Sequence, residues 1–196
     1  YCQFHNSTTR AKSTTLEPNC LLEFRQIFAK LNAPPTNMYN IKEACVKRTK
    51  WRYCTGQFAH LNEWFNRPEV QNALKIINTP VNWTFFSEYV HKEYQFAKVI
   101  SVENEIRQLL ERKIKVLIYY GEDDLVCNYI SGRWFIDDLR LTKISSSEWY
   151  YQNRTAGEIV KYQEGLTYLR IRDAGHDVFE RQPGAALKMY REFIDQ

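Results

Sequence analysis

Glycine is scarce in this sequence, with seven among 196 residues, roughly half of the ~7% usual in globular chains. Phosphate-binding loops need glycine where backbone closes on ligand, and neither GxGxxG nor GxxxxGK[ST] occurs. A self-contained nucleotide-binding domain is therefore not expected. CxxC pairs are absent and the four histidines, His5, His60, His91 and His176, are scattered, so no metal site is expected. Long apolar runs are missing too. The longest useful one, Val116–Tyr120, falls far below the ~20 residues of a membrane-spanning helix. Nor is there a surplus of one charge: 27 basic and 23 acidic residues are well mixed and leave a net +4. That is too weak for a nucleic-acid partner, which asks for a concentrated basic face. No internal repeat is visible. The opening residues, Tyr1-Cys2, bring no initiator Met, no basic-then-apolar leader and no lipidation motif. The chain thus reads as processed, or as a fragment lacking an upstream part.

What the chain does have is core-forming material. Hydrophobic residues make up 44% and aromatic residues 15%, against 26% charged. This is the composition of one folded domain or two small ones, not of a disordered or collagen-like chain. Five cysteines are present, Cys2, Cys20, Cys45, Cys54 and Cys127, and Asn-x-Ser/Thr sequons begin at Asn6, Asn82 and Asn153. Together they predict a disulfide-bearing glycoprotein of the secretory pathway. The alternative is a cytosolic protein with buried thiols and unused sequons. Connectivity stays open, and the odd count leaves one thiol free or bonded to another chain.

Residues 1–57 read as loop-rich. They hold the Ser/Thr-rich stretch Ser7–Thr15, the Pro34-Pro35 turn and the basic run Lys47, Arg48, Lys50, Arg52. That run is a processing site, an anionic-partner patch or, more simply, a solvated loop. An amphipathic helix is expected around Leu21–Leu31, with Asn19 as its cap. From Leu61 onward the chain becomes regular. Asn66, Pro68 and Glu69 supply a cap, an early proline and a capping-box acid before Val70, Ala73, Leu74 and Ile77 at helical spacing. A helix over about Ser101–Lys113 places Val102, Ile106, Leu109 and Leu110 on one face. Lys115–Tyr120 reads as a strand buried on both faces, ending at Gly121-Glu122-Asp123-Asp124. A helix with Trp134, Phe135 and Leu139 follows. Residues 157–172 predict a hairpin turning near Glu164-Gly165, with Thr167, Leu169 and Ile171 opposite Tyr168, Arg170 and Arg172. Pro183 opens a final helix striped with Ala186, Met189, Tyr190 and Phe193. The alternation is α/β, with a parallel sheet expected in the core.

Two polar groups lie just beyond the C-terminal ends of these strands, where α/β sheets place their chemistry. One is the acidic turn after Tyr120; the other is His176, in Asp173-Ala174-Gly175-His176. An acid followed by a histidine near the C-terminus is the order of the α/β-hydrolase triad Ser…Asp…His. There the carboxylate holds the imidazole in one tautomer and stabilises the imidazolium formed during acyl transfer. The pattern alone equally allows a capped strand end and a hydrogen-bonded loop histidine. No serine has glycine at both −2 and +2; Ser131-Gly132 fails because Tyr129 occupies the first position.

The stretch Val116–Asn128, reading Val-Leu-Ile-Tyr-Tyr-Gly-Glu-Asp-Asp-Leu-Val-Cys-Asn, resembles the acid-bearing segment of the serine carboxypeptidases. In that family Gly-Asp-x-Asp is followed by two apolar residues and Cys-Asn, and the catalytic acid falls on Asp124. Leu169–His176 resembles the histidine segment, where Gly-x-Gly-His ends a strand, and the catalytic histidine falls on His176. Leu61-Asn62 with Asn66–Leu74, Trp134–Leu139 and Ala156-Gly157-Glu158 agree as well. The similarity spans nearly the whole chain and is strongest over 115–139 and 165–194.

The resemblance implies the C-terminal half of an α/β-hydrolase fold, a mixed sheet flanked by helices. Residues 58–196 would belong to the hydrolase domain and residues 1–57 to a disulfide-bearing remnant of the cap insertion. It implies that the nucleophile and most of the oxyanion hole lie in an N-terminal half, the partner chain cut from the same precursor. Cys45 and Cys54 resemble a disulfide pair of the cap; Cys2 and Cys20 resemble cap cysteines with upstream partners, unless they pair with each other. Cys127 resembles a free thiol lining the substrate pocket beside Asn128. Phe86 stands where many members carry a cysteine bonded to the N-terminal half. After the histidine the family commonly has Met-Val-Pro, whereas this chain has Asp177-Val178-Phe179; a carboxylate beside the histidine would alter both its electrostatics and the leaving-group pocket, unless Asp177 points to solvent.

The implied function is to supply aspartate and histidine for release of C-terminal amino acids from peptides through a serine acyl-enzyme. The implied setting is a secreted, lysosomal or vacuolar protein needing no metal and no organic cofactor, whose two-chain unit is free to form a homodimer. Two alternatives stay open. One is an acyltransferase that intercepts the same acyl-enzyme with an alcohol; the other is a catalytically silent binding or structural relative.

Overall fold

The computed structural model describes residue 26 and residues 36–45, 59–76, 82–85, 87–93 and 101–195. The helix expected around Leu21–Leu31 lies, but for Gln26, outside the described residues, as do Asn19 and the basic run. The chain divides into two compact units, one of Tyr1–Thr36 with Cys45–Ser101, the other of Asn37–Ala44 with Val102–Gln196.

In the first unit the described helices are α1 (Ala59–Phe65), α2 (Pro68–Ala73) and α3 (Glu88–Glu93). Pro68 opens α2, since its fixed φ suits a first turn and its missing N–H is not needed there. The cap differs from expectation. Arg67 is the N-cap, and its side chain makes no capping hydrogen bond. Asn66 is turned elsewhere: its Oδ1 accepts the Trp83 N–H at 2.8 Å, and its Nδ2 donates to the carbonyls of Trp83 and Asn62. An amide engaged at both ends cannot also close the helix. The apolar spacing does not become a buried stripe either. Val70 is half-buried and Ala73 and Leu74 are exposed, while Gln71 is buried with its amide donating to the Phe65 carbonyl at 3.1 Å.

The second unit runs α4 (Glu103–Glu111), β1 (Val116–Gly121), α5 (Tyr129–Asp138), β2 (Lys143–Tyr151), β3 (Arg154–Tyr162), β4 (Leu166–Ile171), α6 (Val178–Arg181) and α7 (Pro183–Ile194). Its sheet has the order β1-β4-β3-β2. β1 and β4 are parallel, and the other two pairings are antiparallel. The sheet is therefore mixed, and β2 is a strand that the sequence pattern did not predict. Gln152 and Asn153, with φ of 49° and 60°, form the two-residue turn from β2 to β3. Positive φ at both positions matches the right-handed twist of the flanking strands.

β4 is the anchor. Leu166 and Tyr168 join Leu110, Ile136, Leu139, Val160 and Tyr162 on one face. Leu169 and Ile171 join Trp149, Val178, Ala185, Ala186 and Met189 on the other. So α4 and α5 cover one side of the sheet and α6 and α7 the second, and each fully buried leucine contributes roughly 1.5–3 kcal/mol. The two faces of β4 alternate as expected, but Tyr168 is as deeply buried as Leu169, because helices lie on both sides. Its hydroxyl donates to the Tyr129 carbonyl at 3.2 Å, and burial pushes its pKa up to about 12.

Other expected apolar faces are narrower than their spacing suggests. In α4 Leu110 is buried and Ile106 packs against the core, but Val102 and Leu109 are exposed; Trp134 of α5 and Tyr190 of α7 are exposed too. β1 also departs from the reading of a strand buried on both faces. Among the described residues it pairs on one side only, with β4, and Tyr119 is exposed.

Candidate catalytic site

The parallel register of β1 and β4 sets Gly121 opposite Ile171, so the loops leaving both strands emerge side by side. They are stitched together at once. The Glu122 N–H donates to the Ile171 carbonyl at 2.8 Å, and the Asp123 N–H to the Ala174 carbonyl at 2.9 Å. Asp173 makes the turn after β4 in the left-handed region, with φ of 54°, which a short polar side chain tolerates better than a bulky one.

This arrangement brings Asp124 and His176 into contact. Asp124 Oδ2 stands 2.7 Å from His176 Nδ1, with the carboxylate 3% and the imidazole 39% exposed. The other oxygen, Oδ1, accepts the Val126 N–H at 2.9 Å. A carboxylate on one ring nitrogen fixes the proton there and leaves Nε2 as the acceptor. The pair therefore combines a buried, held acid with a half-open base.

A third component was not foreseen, because it comes from Asn37–Ala44, inside the stretch read as loop-rich. The Met38 carbonyl accepts the Leu125 N–H at 3.0 Å, the Tyr39 carbonyl accepts the His176 N–H at 2.8 Å, and the Ile41 N–H donates to the Asp123 carbonyl at 2.9 Å. The Tyr39 ring packs edge-on against the imidazole, 5.1 Å between centroids. Gly175 permits this approach, since a Cβ there would lie 2.2 Å from the Tyr39 carbonyl oxygen. Lys42 Nζ lies 2.7 Å from Asp173 Oδ1 and 3.1 Å from Asp123 Oδ2; the latter is an ion pair poorly aligned for a hydrogen bond. Asp173 first, then Asp123, holds the Lys42 pKa above its usual value. Glu43 pairs with Arg181 at 2.6 Å. This strap joins the acid loop to the histidine loop. Its signal in the sequence is a pair of asparagines three apart. Asn37 and Asn40 are both buried, and each Oδ1 accepts the main-chain N–H two residues on, which is how asparagine builds tight turns.

The remaining sequence candidates divide. Cys127 is a free thiol on an exposed residue, and its Sγ, an Asp124 oxygen and a His176 ring nitrogen all lie within 4.8 Å of one another. Desolvation, then the Asp124 charge, pushes the thiol pKa up. Asn128 is the N-cap of α5, its Oδ1 accepting the Ser131 N–H at 2.9 Å, so that oxygen serves the helix. Asp177 is exposed beside His176, and its carbonyl accepts the Glu180 and Arg181 N–H groups at the start of α6. Phe179 is exposed and meets Tyr119 edge-on at 6.0 Å. Asn82 and Asn153 are exposed, the latter in the β2–β3 turn. Cys45 is buried and disulfide-bonded. Cys2, Cys20, Cys54, Asn6 and Phe86 lie outside the described residues. No helix among the described residues is long and apolar enough to cross a membrane.

A model of the serine carboxypeptidase family matches residues 2–196. A serine carboxypeptidase-like protein of Arabidopsis thaliana is 30% identical over 166 residues, covering 83% of this chain and 34% of that protein. The lysosomal protective protein of Mus musculus is 28% identical over 148 residues, 73% of this chain and 31% of its own length. Carboxypeptidase Y of Candida albicans is 29% identical over 172 residues, 81% and 30% respectively. The chain thus spans about a third of the length of these relatives. Among solved structures, a prohormone-processing carboxypeptidase from Saccharomyces cerevisiae superposes with a TM-score of 0.73 at 16% identity, over 92% of this chain and 42% of that one. At that identity the likeness shows the fold, which is that of an α/β-hydrolase.

Proposed function

Because the chain belongs to the serine carboxypeptidase family, we propose that it carries the acid and the general base of a peptidase whose nucleophilic serine lies on polypeptide outside these residues. The observation that carries this reading is the 2.7 Å pairing of His176 Nδ1 with buried Asp124, beyond the ends of two adjacent parallel strands. The serine hydroxyl attacks the scissile carbonyl of a peptide's last bond and passes its proton to Nε2. Asp124 stabilises the imidazolium, which then gives that proton to the departing amino acid. Water, activated by the same ring, hydrolyses the acyl-enzyme.

Two features support an N-terminal half as the source of the serine. No serine in the chain sits in a nucleophile elbow. Among the described residues β1 has a partner on one side only, which leaves an edge on which a further strand can pair. In this reading that half and this chain come from one precursor. The sequons, the disulfide-bonded Cys45 and the named relatives support a secreted or lysosomal setting. Cys127 borders the bound peptide, and Asp177 sets a negative charge near its leaving residue, favouring basic over acidic ones.

Fluorophosphonate labelling of the native, unfragmented protein tests this, because only an activated serine reacts. The label is expected on the N-terminal polypeptide and is expected to vanish in His176→Ala. A catalytically silent relative is the second reading, favoured by Asp177 and Phe179 where the family has Met-Val-Pro. An unlabelled native protein would decide for it.

A further inference from the structure

Histidines and cysteines are scattered along the sequence, and no metal site was expected from them, yet the fold gathers three ligand types at one point. An Asp124 carboxylate oxygen, the Cys127 Sγ and a His176 ring nitrogen lie within 4.8 Å of one another, the only such trio of ligands among the described residues. We propose that this trio binds a borderline-soft divalent cation, Zn²⁺ foremost, and that its occupancy switches off the general base. The switching-off rests on the catalytic reading above; the binding does not.

Zinc takes sulfur at about 2.3 Å and nitrogen or oxygen at about 2.0–2.2 Å, which puts neighbouring ligand atoms of a tetrahedral ion roughly 3.3–3.8 Å apart. Asp124 Oδ2 and His176 Nδ1 already stand at 2.7 Å, so they spread slightly while Cys127 swings inward by about an ångström. Cys127 is exposed and unbonded, and the imidazole is partly open, so both have room to move. Water completes the fourth position, as in other three-ligand sites. A nitrogen, sulfur and oxygen set selects against Mg²⁺ and Ca²⁺, which seek oxygen alone. Asp124 adds a negative charge beneath the ion, shielded from water.

The proton balance explains the loss of activity. Binding sends the thiol proton to solvent, because the thiolate is the ligand. The Nδ1 proton leaves as that nitrogen takes the metal, and Nε2 gains one from solvent, so the ring stays neutral. An imidazole with metal on Nδ1 and hydrogen on Nε2 has no lone pair to receive the serine's proton. The metal thus selects the tautomer that catalysis cannot use.

Titration of the native, unfragmented protein with Co²⁺ tests binding directly. We expect a near-ultraviolet thiolate-to-cobalt band that saturates at one ion per chain and is displaced by Zn²⁺. It should be lost in Cys127→Ser. It should also be lost when methyl methanethiosulfonate blocks the thiol of folded wild type, and return on release with dithiothreitol. His176→Ala should weaken Co²⁺ binding at least tenfold. A folded wild type with no band, or a band that persists in Cys127→Ser, overturns the site. Because the readout is spectroscopic, this result stands apart from whether the protein is a peptidase. In protein that fluorophosphonate does label, zinc at saturation should stop the labelling and a chelator restore it; labelling unchanged by bound zinc overturns the switch.

Discussion

A Cβ on Gly121 would lie 2.1 Å from the carbonyl oxygen of Gly175. The end of β1 and the turn before His176 therefore touch backbone to backbone, and this contact sets the separation of Asp124 from His176. A methyl group at 121 meets main chain, which cannot swing aside. Gly121→Ala should cost about 1–3 kcal/mol, as overpacking does, and should push the two loops apart. Gly165→Ala is the control. Its Cβ meets nothing within 4 Å, but φ is 100°, so it should destabilise by roughly 1–3 kcal/mol through backbone strain. Urea midpoints should fall in both, while the downfield Nδ1 proton resonance of His176 should be lost in Gly121→Ala only.

In the complete protein, Asp124→Asn should reduce acylation by about 10⁴, the size of the loss in the serine protease in which the equivalent change was made. The reason is tautomer control, since an amide facing Nδ1 no longer demands a proton on it. His176→Ala should remove the base altogether. Pre-steady-state acylation of a peptide ester measures both. Near-normal rates in these variants would remove the two residues from the mechanism.

Cys127 should be a sluggish thiol. Desolvation and the Asp124 charge both disfavour its thiolate, so iodoacetamide should modify it more slowly than free cysteine at pH 8, and its pH–rate curve should be displaced to higher pH. Removing the negative charge in Asp124→Asn should shift that curve back toward lower pH and speed alkylation. A curve that does not move with Asp124 would mean that the two groups do not interact.

Much of this fold was legible, and the failures have physical causes. The apolar run 115–120 announced β1, and Pro183 announced α7, because burial and proline geometry act locally. β2 was missed because, of its residues, only Trp149 is buried. An outer strand of the sheet with solvent over most of its length has no reason to alternate. Asn66 carries the residue type of a cap, but its amide has a competing partner in Trp83, which local pattern cannot disclose. At the candidate site, the acid and the histidine were readable because strand ends are where such groups belong. The strap was not, because residues 37–44 derive their position from contacts far away in sequence.

Glu192 gives a pH dependence outside the site. Burial alone would push its carboxyl up, but hydrogen bonds from Lys188 and from Trp149, the latter at 2.8 Å, outweigh it and hold the pKa below the usual value. A depressed pKa means that the contribution is present above the ordinary glutamate range near ~4.3 and is lost as pH falls through the lower, folded value. The side chain is 43% exposed, so the effect should be no more than about 1 kcal/mol. Glu192→Gln should lower the urea midpoint more at pH 7 than at pH 3. An equal penalty at both would trace it to shape alone.

The strap also bears on the order in which the molecule assembles. Lys42 and Asp173 are 131 residues apart in sequence, whereas β2–β3 and β3–β4 pair through short turns and β1 meets β4 over the shorter separation of Val116 from Leu166. Long closures cost more chain entropy and form later, so the sheet can be complete while the loops that carry Asp124 and His176 are still unfastened. Read backwards, this is the order of opening under mild stress. The amides of Leu125 and His176, whose acceptors are in the strap, should exchange with deuterium together and well ahead of those joining β3 to β4. A protein built this way loses its chemistry before it loses its shape, and regains it last.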